Sequence, residues 1–208
     1  MASVLLVDDH PLFRQALGLV IRRVQPQFVV HHAESLAGAR KVLAREQDVV
    51  LTMLDLKMSD CGDFNALLTL RGEHPQIPVA VVSSSSNSST IVHALALGAA
   101  GFIPKSSSGD EIAKAVATIL EGEIWAPPAV QGLSMPENAL TIASFSPAQL
   151  QILVRLQRGM RNKEIASEMN VTEKTIKSYL TAMFKKLGVS SRTQALISVQ
   201  TLKLEPEL

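Results

Sequence analysis

Cysteine is almost missing from this chain. Cys61 is the single one in 208 residues, so no internal disulfide is available, which suits a reducing compartment. Aromatic residues make up only 4%, too few for a stacking platform for single-stranded nucleic acid. No apolar run approaches the ~18 residues of a membrane span, and no secretory leader opens the sequence. These absences predict a cytoplasmic protein with no membrane segment. An excess of one charge is missing too, since the formal net charge is only +1.

That near-neutrality hides an asymmetry. Residues 1–122 carry net −2, residues 123–145 net −2, and residues 146–208 net +5. A basic third joined to an acidic remainder predicts one region that meets a polyanion. With 47% hydrophobic residues, the chain can build one or two cores.

In residues 1–122, short β-branched runs alternate with helical periods. Strand-like runs stand at Ser3–Val7, Phe28–His32, Val49–Leu54, Val79–Val82 and Gly101–Ile103. Phe13, Ala16, Leu17 and Val20 follow Pro11 at helical spacing, and Leu36, Ala39, Val42 and Leu43 make a second such face. Phe64, Leu67, Leu68 and Arg71 mark a third helix, and Ile91 and Leu95 a fourth. Ser108 and Glu111 make a capping box before Ile112, Ala115, Val116 and Ile119. Five strands alternating with five helices predict an α/β domain with a doubly wound, five-stranded parallel sheet. Residues 123–145, with three prolines, read as a linker with a helical turn near Ala129–Leu133.

Ligands of such sheets bind at the carboxyl ends of the strands. Here those ends read Asp8-Asp9, Asp55, Ser83 and Pro104-Lys105. Adjacent aspartates repel unless they are solvated, paired or share a cation. A hard cation such as Mg²⁺ takes oxygen ligands. Asp9 and Asp55 can each supply one, Asp8 can hold a water, and the backbone carbonyl of Lys57 can add another. A carboxylate beside such a cation can attack a phosphoryl group, whose oxygens Lys105 and the Ser83 hydroxyl can neutralise. His10 is read as a helix-start residue rather than a ligand, because Mg²⁺ prefers oxygen.

With Asp8, Asp9, Asp55, Ser83, Phe102 and Lys105 in place over about 120 residues, the region resembles the receiver domain of bacterial response regulators. The resemblance implies that Asp55 accepts phosphate from a sensor histidine kinase and that Asp8 and Asp9 hold the metal, Mg²⁺ or Mn²⁺. It makes Ser83 and Phe102 a switch pair and Lys105 the phosphoryl-binding lysine. The loop after Asp55 departs from the family in having Ser59 where a proline is usual. Lys57 and Ser85 stand where family members tune phosphate lifetime.

In residues 146–208, Ser146-Pro147-Ala148-Gln149 reads as a capping box opening a helix with Leu150, Leu153, Val154 and Leu156 inward. A second helix carries Ile165, Ala166 and Met169. After an Asn170-Val171 turn, Thr172 caps a third, whose apolar face is Ile176, Leu180, Met183 and Leu187. Its other face bears Lys174, Lys177, Ser178 and Thr181, a stripe with no acid. On the second helix of a helix–turn–helix such a stripe enters the DNA major groove. Arg161, Lys163, Lys185, Lys186 and Arg192 can meet phosphates.

The run NKEIASEMNVTEKTIKSYLTAMFKKLGVSSRTQA resembles the DNA-binding domain of LuxR/NarL-type transcription regulators over about 60 residues. It implies that Lys177, Ser178 and Thr181 face the bases and that a fourth helix, Arg192–Leu202, makes a dimer contact. Gln149 and Tyr179 depart from the family's usual Glu and His.

Together these point to a receiver domain (1–122), a linker (123–145) and an all-α helix–turn–helix domain of four helices (146–208). The expected function is DNA-binding transcription regulation switched by phosphorylation, not an enzyme's. The expected partners are a histidine kinase, double-stranded DNA bound as a homodimer, and RNA polymerase. Two rivals are a nucleotide-messenger-gated regulator, disfavoured by the intact acid pocket, and a protein-docking module, disfavoured by the basic stripe.

Overall fold

A computed structural model describes residues 1–58, 64–130, 141–142 and 144–200, without the side chains of residues 199 and 200. Ser59, Cys61, the linker residues 131–140 and 143, and the chain after residue 200 lie outside the described residues. The far part of the turn expected at Ala129–Leu133 and the end of the fourth helix fall among them.

The sheet contains β1 (Ser3–Val7), β2 (Val29–Ala33), β3 (Val49–Leu54), β4 (Val79–Ser83) and β5 (Gly101–Pro104). Its order is β2-β1-β3-β4-β5 and every pairing is parallel. Between the strands run α1 (Pro11–Val24), α2 (Leu36–Arg45), α3 (Asn65–Glu73) and α4 (Ser88–Ala96), with α5 (Gly109–Leu120) following β5. This is the doubly wound arrangement that the alternation predicts.

Side chains of a strand point alternately to its two faces. Val4 and Leu6 therefore join Leu17, Ile21, Ile112 and Val116 in the core under α1 and α5. Leu5 and Val7 join Leu36, Leu67 and Ile91 in the core under α2, α3 and α4. Each fully buried Leu or Phe stabilises by about 1.5–3 kcal/mol, so the polar strand ends rest on a rigid apolar base.

The second region holds α6 (Pro147–Gln157), α7 (Asn162–Glu168), α8 (Glu173–Leu187) and α9 (Arg192–Gln200). The expected caps form. Ser146 Oγ accepts from Gln149 N at 3.3 Å while Gln149 Oε1 accepts from Ser146 N at 3.0 Å. Thr172 Oγ1 accepts from Thr175 N at 3.1 Å. In the turn between α7 and α8, Asn170 has φ of 54°, a left-handed conformation that Asn tolerates better than most residues.

The start of the expected linker is tied to the sheet. Trp125 N donates to Ala100 O at 3.1 Å, and Phe102 N donates to Trp125 O at 3.0 Å. A Cβ at residue 101 would stand 2.7 Å from Ile119 Cδ1 and 3.0 Å from Trp125 Cβ, so Gly101 permits this close approach. Proline content suggests an unpaired tether, but it does not reveal a partner 24 residues away along the chain. Pro128–Val130 then form a single 3₁₀ turn.

One apolar core runs from the sheet region into the helical one, joining Leu67 and Leu70 to Leu150 and Leu153. α3 packs on α6, and Gln151 Nε2 donates to Gly72 O at 3.0 Å. A Cβ at residue 72 would lie 3.3 Å from Gln151 Cγ, Leu150 Cβ and Pro147 O. Beside this contact, Arg40 holds Glu73 through two hydrogen bonds. The Glu73 hydrogen bonds raise the Arg40 guanidinium above its ordinary range. Burial opposes this, and the charges of Glu73 and Glu168 reinforce it. Glu168 also accepts from Arg155 Nε at 3.0 Å.

Candidate functional site

The carboxyl ends of β1, β3 and β5 bring Asp8, Asp55 and Lys105 together. Asp8 and Asp55 are 3% and 1% exposed, so both need partners inside the protein. Lys105 Nζ supplies them, 2.8 Å from Asp8 Oδ2 and 2.7 Å from Asp55 Oδ2. It also lies 4.8 Å from the centre of the Phe13 ring. Burial works against its charge. Hydrogen bonds and charge attraction from Asp55 and Asp8 outweigh that, and the ammonium is held above the usual lysine range.

The remaining oxygens are set by the backbone. Asp55 Oδ1 accepts from Lys57 N at 3.1 Å, and Asp8 Oδ1 accepts from His10 N at 2.8 Å. These bonds fix both carboxylates before any ligand arrives. Asp9 stands at the rim, with a 27% exposed side chain. Arg14, one turn into α1, is buried and donates to the backbone oxygen of Asp8, while its other nitrogen pairs with Glu34 Oε1 at 3.0 Å. Periodicity marks Arg14 only as a helix residue. Its contact with Asp8 depends on how α1 folds back over β1.

Three carboxylates face one lysine ammonium here, so negative charge is in excess. Oxygen-rich, anionic donor sets suit hard divalent cations. Asp8, Asp9 and Asp55, together with His10, place one potential ligand atom each within 4.8 Å of one another. The residues present therefore fit the divalent cation that the sequence predicts. His10 is not merely a helix-start residue. It makes no side-chain cap bond, and its Nδ1 lies 2.8 Å from Asp9 Oδ1 and 3.2 Å from Asp8 Oδ1.

Ser83, the last residue of β4, and Phe102 of β5 are fully buried. Ser83 Oγ accepts from Ser85 N at 3.3 Å, and Ser83 O accepts from Lys105 N at 2.7 Å. Phe102 belongs to the core that also contains Ile91 and Leu95 of α4. The Lys57 side chain is exposed.

On α8, Ile176, Leu180 and Met183 are buried, while Lys174, Lys177, Ser178, Thr181, Lys185 and Lys186 are exposed. The polar stripe is thus open to solvent, and α6 rather than α8 carries the contact with α3. Three details differ from the sequence reading. Lys177 Nζ pairs with Glu173 Oε1 at 2.9 Å, so an acid does stand beside the stripe. Lys186 Nζ donates to Ser144 O at 2.9 Å and lies 5.6 Å from the Phe145 ring centre. Arg192 Nη2 donates to Met160 O at 2.8 Å and Leu156 O at 3.2 Å. That gives Arg192 a structural task at the end of α6, where it joins Gly159 N as a donor to the Leu156 carbonyl.

A buried aspartate–lysine pocket at the carboxyl edge of a five-stranded parallel sheet, joined to a helix–turn–helix, defines a two-part regulator: a receiver and a DNA-binding effector. Residues 4–117 match the response regulator receiver domain, and residues 143–199 match the bacterial regulatory proteins of the LuxR family. The chain belongs to the LuxR-family (NarL-type) response regulators, transcription regulators controlled by phosphorylation. It is 35% identical to a glycerol metabolism activator of Pseudomonas putida over 95% of both chains. It is 30% identical to the nitrate/nitrite response regulator protein NarL of Escherichia coli, over 95% of this chain and 94% of that one. The solved RcsB response regulator of Salmonella typhimurium shares the fold, with a TM-score of 0.56 at 22% identity over 97% of this chain and all of that one. A LuxR family DNA-binding response regulator from Silicibacter pomeroyi gives a TM-score of 0.52 at 31% identity, over 62% of this chain and 99% of that one. Among the described residues no helix is long and apolar enough to cross a membrane.

Proposed function

We propose that Asp55 is the phosphoryl acceptor and that its phosphorylation by a histidine kinase controls DNA binding through α8. The observation that carries this is the Lys105 ammonium held between Asp55 and Asp8 at 2.7 and 2.8 Å. In the transfer, an Asp55 carboxylate oxygen bonds to phosphorus as the bond from phosphorus to the kinase imidazole breaks, and the electron pair leaves on that imidazole. Lys105 then moves its positive charge from the carboxylate to the phosphoryl oxygens, and the Ser83 hydroxyl donates to the same oxygens.

Asp8, Asp9, Asp55 and the Lys57 carbonyl would hold Mg²⁺ or Mn²⁺. When bound, the cation supplies positive charge to the phosphoryl oxygens. Phe102 moves with Ser83 and repacks the core beneath α4. At the other end, Lys177, Ser178 and Thr181 read bases, with Lys174, Lys185 and Lys186 near phosphates. Lys177 must exchange Glu173 for its DNA partner. DNA is bound as a homodimer, with α9 as the contact between copies, and RNA polymerase is the partner at the promoter. Receiver and effector, residues 1–122 and 146–208, are joined through 123–145.

Because α8 is open to solvent, control acts on the α3–α6 contact and on how two effector domains are paired, not on uncovering the recognition face. The test is phosphoryl uptake from a small phosphodonor, read by phosphate-affinity electrophoresis, with DNA binding measured in parallel. Uptake that raises affinity for a two-half-site operator supports the proposal. Full uptake by Asp55→Asn excludes it.

A further inference from the structure

His10 occupies a position where a helix usually needs help. It is the residue before Pro11, and proline at the first helical position removes one of the N–H groups that a cap would satisfy. His10 has extended backbone (φ −94°, ψ 101°) and makes no side-chain cap bond. Its ring is directed to the acid pocket instead. Nδ1 lies 2.8 Å from Asp9 Oδ1, 3.2 Å from Asp8 Oδ1 and 3.9 Å from Asp55 Oδ2. One nitrogen thus stands beside carboxylates from two different strands. The side chain is 66% exposed, so small adjustments of the ring cost little packing.

We infer that His10 is a nitrogen ligand of the cation held by Asp8, Asp9 and Asp55, which makes the centre a mixed carboxylate–imidazole site. The inference rests on the proposed cation site. Nδ1 faces the space that the three carboxylates surround, where a bound cation would take up its lone pair in place of the present contacts to Asp8 and Asp9. A purely oxygen set suits Mg²⁺, whereas imidazole favours later divalent metals, whose affinities rise from Mn²⁺ through Co²⁺ to Ni²⁺. The pocket therefore discriminates against Mg²⁺ in favour of Co²⁺ and Ni²⁺ more strongly than its carboxylates alone would. Through His10, the identity of the available metal sets how readily the pocket is occupied.

The test uses the full chain loaded with Mn²⁺. Pulsed electron paramagnetic resonance reads nitrogen coupled directly to the bound ion. Competition by Co²⁺ and by Mg²⁺ is read from the Mn²⁺ released. The expected result is a coordinated-nitrogen signal that disappears in His10→Ala and in His10→Asn, with Mn²⁺ still bound. The preference for Co²⁺ over Mg²⁺ should shrink by about tenfold or more, since loss of even an outer-shell partner of a metal ligand costs about that much in affinity. Two variants are used so that a folding defect in one does not decide the matter. Bound Mn²⁺ with no nitrogen coupling in the native chain overturns the His10 ligand alone. Equal loss of Co²⁺ and Mg²⁺ affinity in both variants does the same. Failure of the native chain to bind Mn²⁺ overturns the cation site itself, and the ligand with it.

Discussion

The receiver pocket and the recognition helix both present charged side chains, but they hold them in opposite ways. In the pocket, Asp8, Asp55 and Lys105 come from just beyond β1, β3 and β5. They are largely buried, and each is fixed by at least two bonds. On α8, Lys174, Lys177, Ser178 and Thr181 come from one helix, are exposed, and are placed by local helical geometry alone. Charges in the pocket act at low dielectric, where position matters most. Charges on α8 work in water until DNA arrives, and there a surface pair such as Glu173–Lys177 is worth only about 0.3–0.5 kcal/mol. Removing a pocket charge should therefore abolish a step, while removing a charge on α8 should adjust a preference.

The sharpest way to break that contrast is at Asp55. Asp55→Asn is expected to eliminate phosphoryl uptake, and Lys105→Met to slow it about a hundredfold, the usual cost of one preorganised electrostatic group. Timed labelling with a phosphodonor decides both. A loss of less than a few-fold for Lys105→Met would mean that the pocket behaves like a surface.

Arg192 tests the other region, because it is a basic, half-buried residue of the effector with a structural task. Arg192→Ala should lower the thermal stability of the helical region by about 1.5–3 kcal/mol, the range for hydrogen bonds made by charged groups. It should leave base preference unchanged. Thermal melts and binding to single-base operator variants separate the two effects.

Lys177→Ala should do the reverse. It should flatten preference at one half-site position by about 1–3 kcal/mol and leave stability alone. A uniform loss across all operator variants would move the reading face away from Lys177.

The smallest effect is expected from pH. Partial desolvation lowers the pKa of His32, an exposed residue of β2, helped by the charges of Arg14, Arg22 and His31, and burial lowers that of the half-buried His93. Both histidines bind fewer protons folded than unfolded. Their contribution is complete above the unfolded value, about 6.5, and is lost as pH falls below it toward the folded values. Denaturant melts at pH 7.5 and 5.5 should differ less in a His32→Gln, His93→Gln variant than in the native chain.

Much of this was legible in the sequence. All five strands are recovered to within one residue at each end, because alternating β-branched runs and helical periods bury consistent faces. Asp8, Asp55 and Lys105 could be grouped because parallel topology delivers strand ends to one edge. Less visible were contacts between elements far apart in the chain, as with Arg14 on the Asp8 carbonyl, Trp125 against Gly101, Arg192 on the end of α6, and Gly72 against Gln151. No local pattern marks them, since each depends on how one packed element lies over another.

The sequence by itself determined the strand and helix order, the capping of α5, α6 and α8, and which residue types could gather at the sheet edge. Those follow from local periodicity and from the side chain's own hydrogen-bonding reach. Only the tertiary structure decided that the His10 ring faces the carboxylates, that Lys186 and Arg192 bind backbone oxygens, and that α3 grips α6 while α8 stays open. The physical reason is that a side chain's partner is set by the few ångströms around it in the folded molecule. For these residues, that space is filled by parts of the chain that sequence periodicity does not relate to one another.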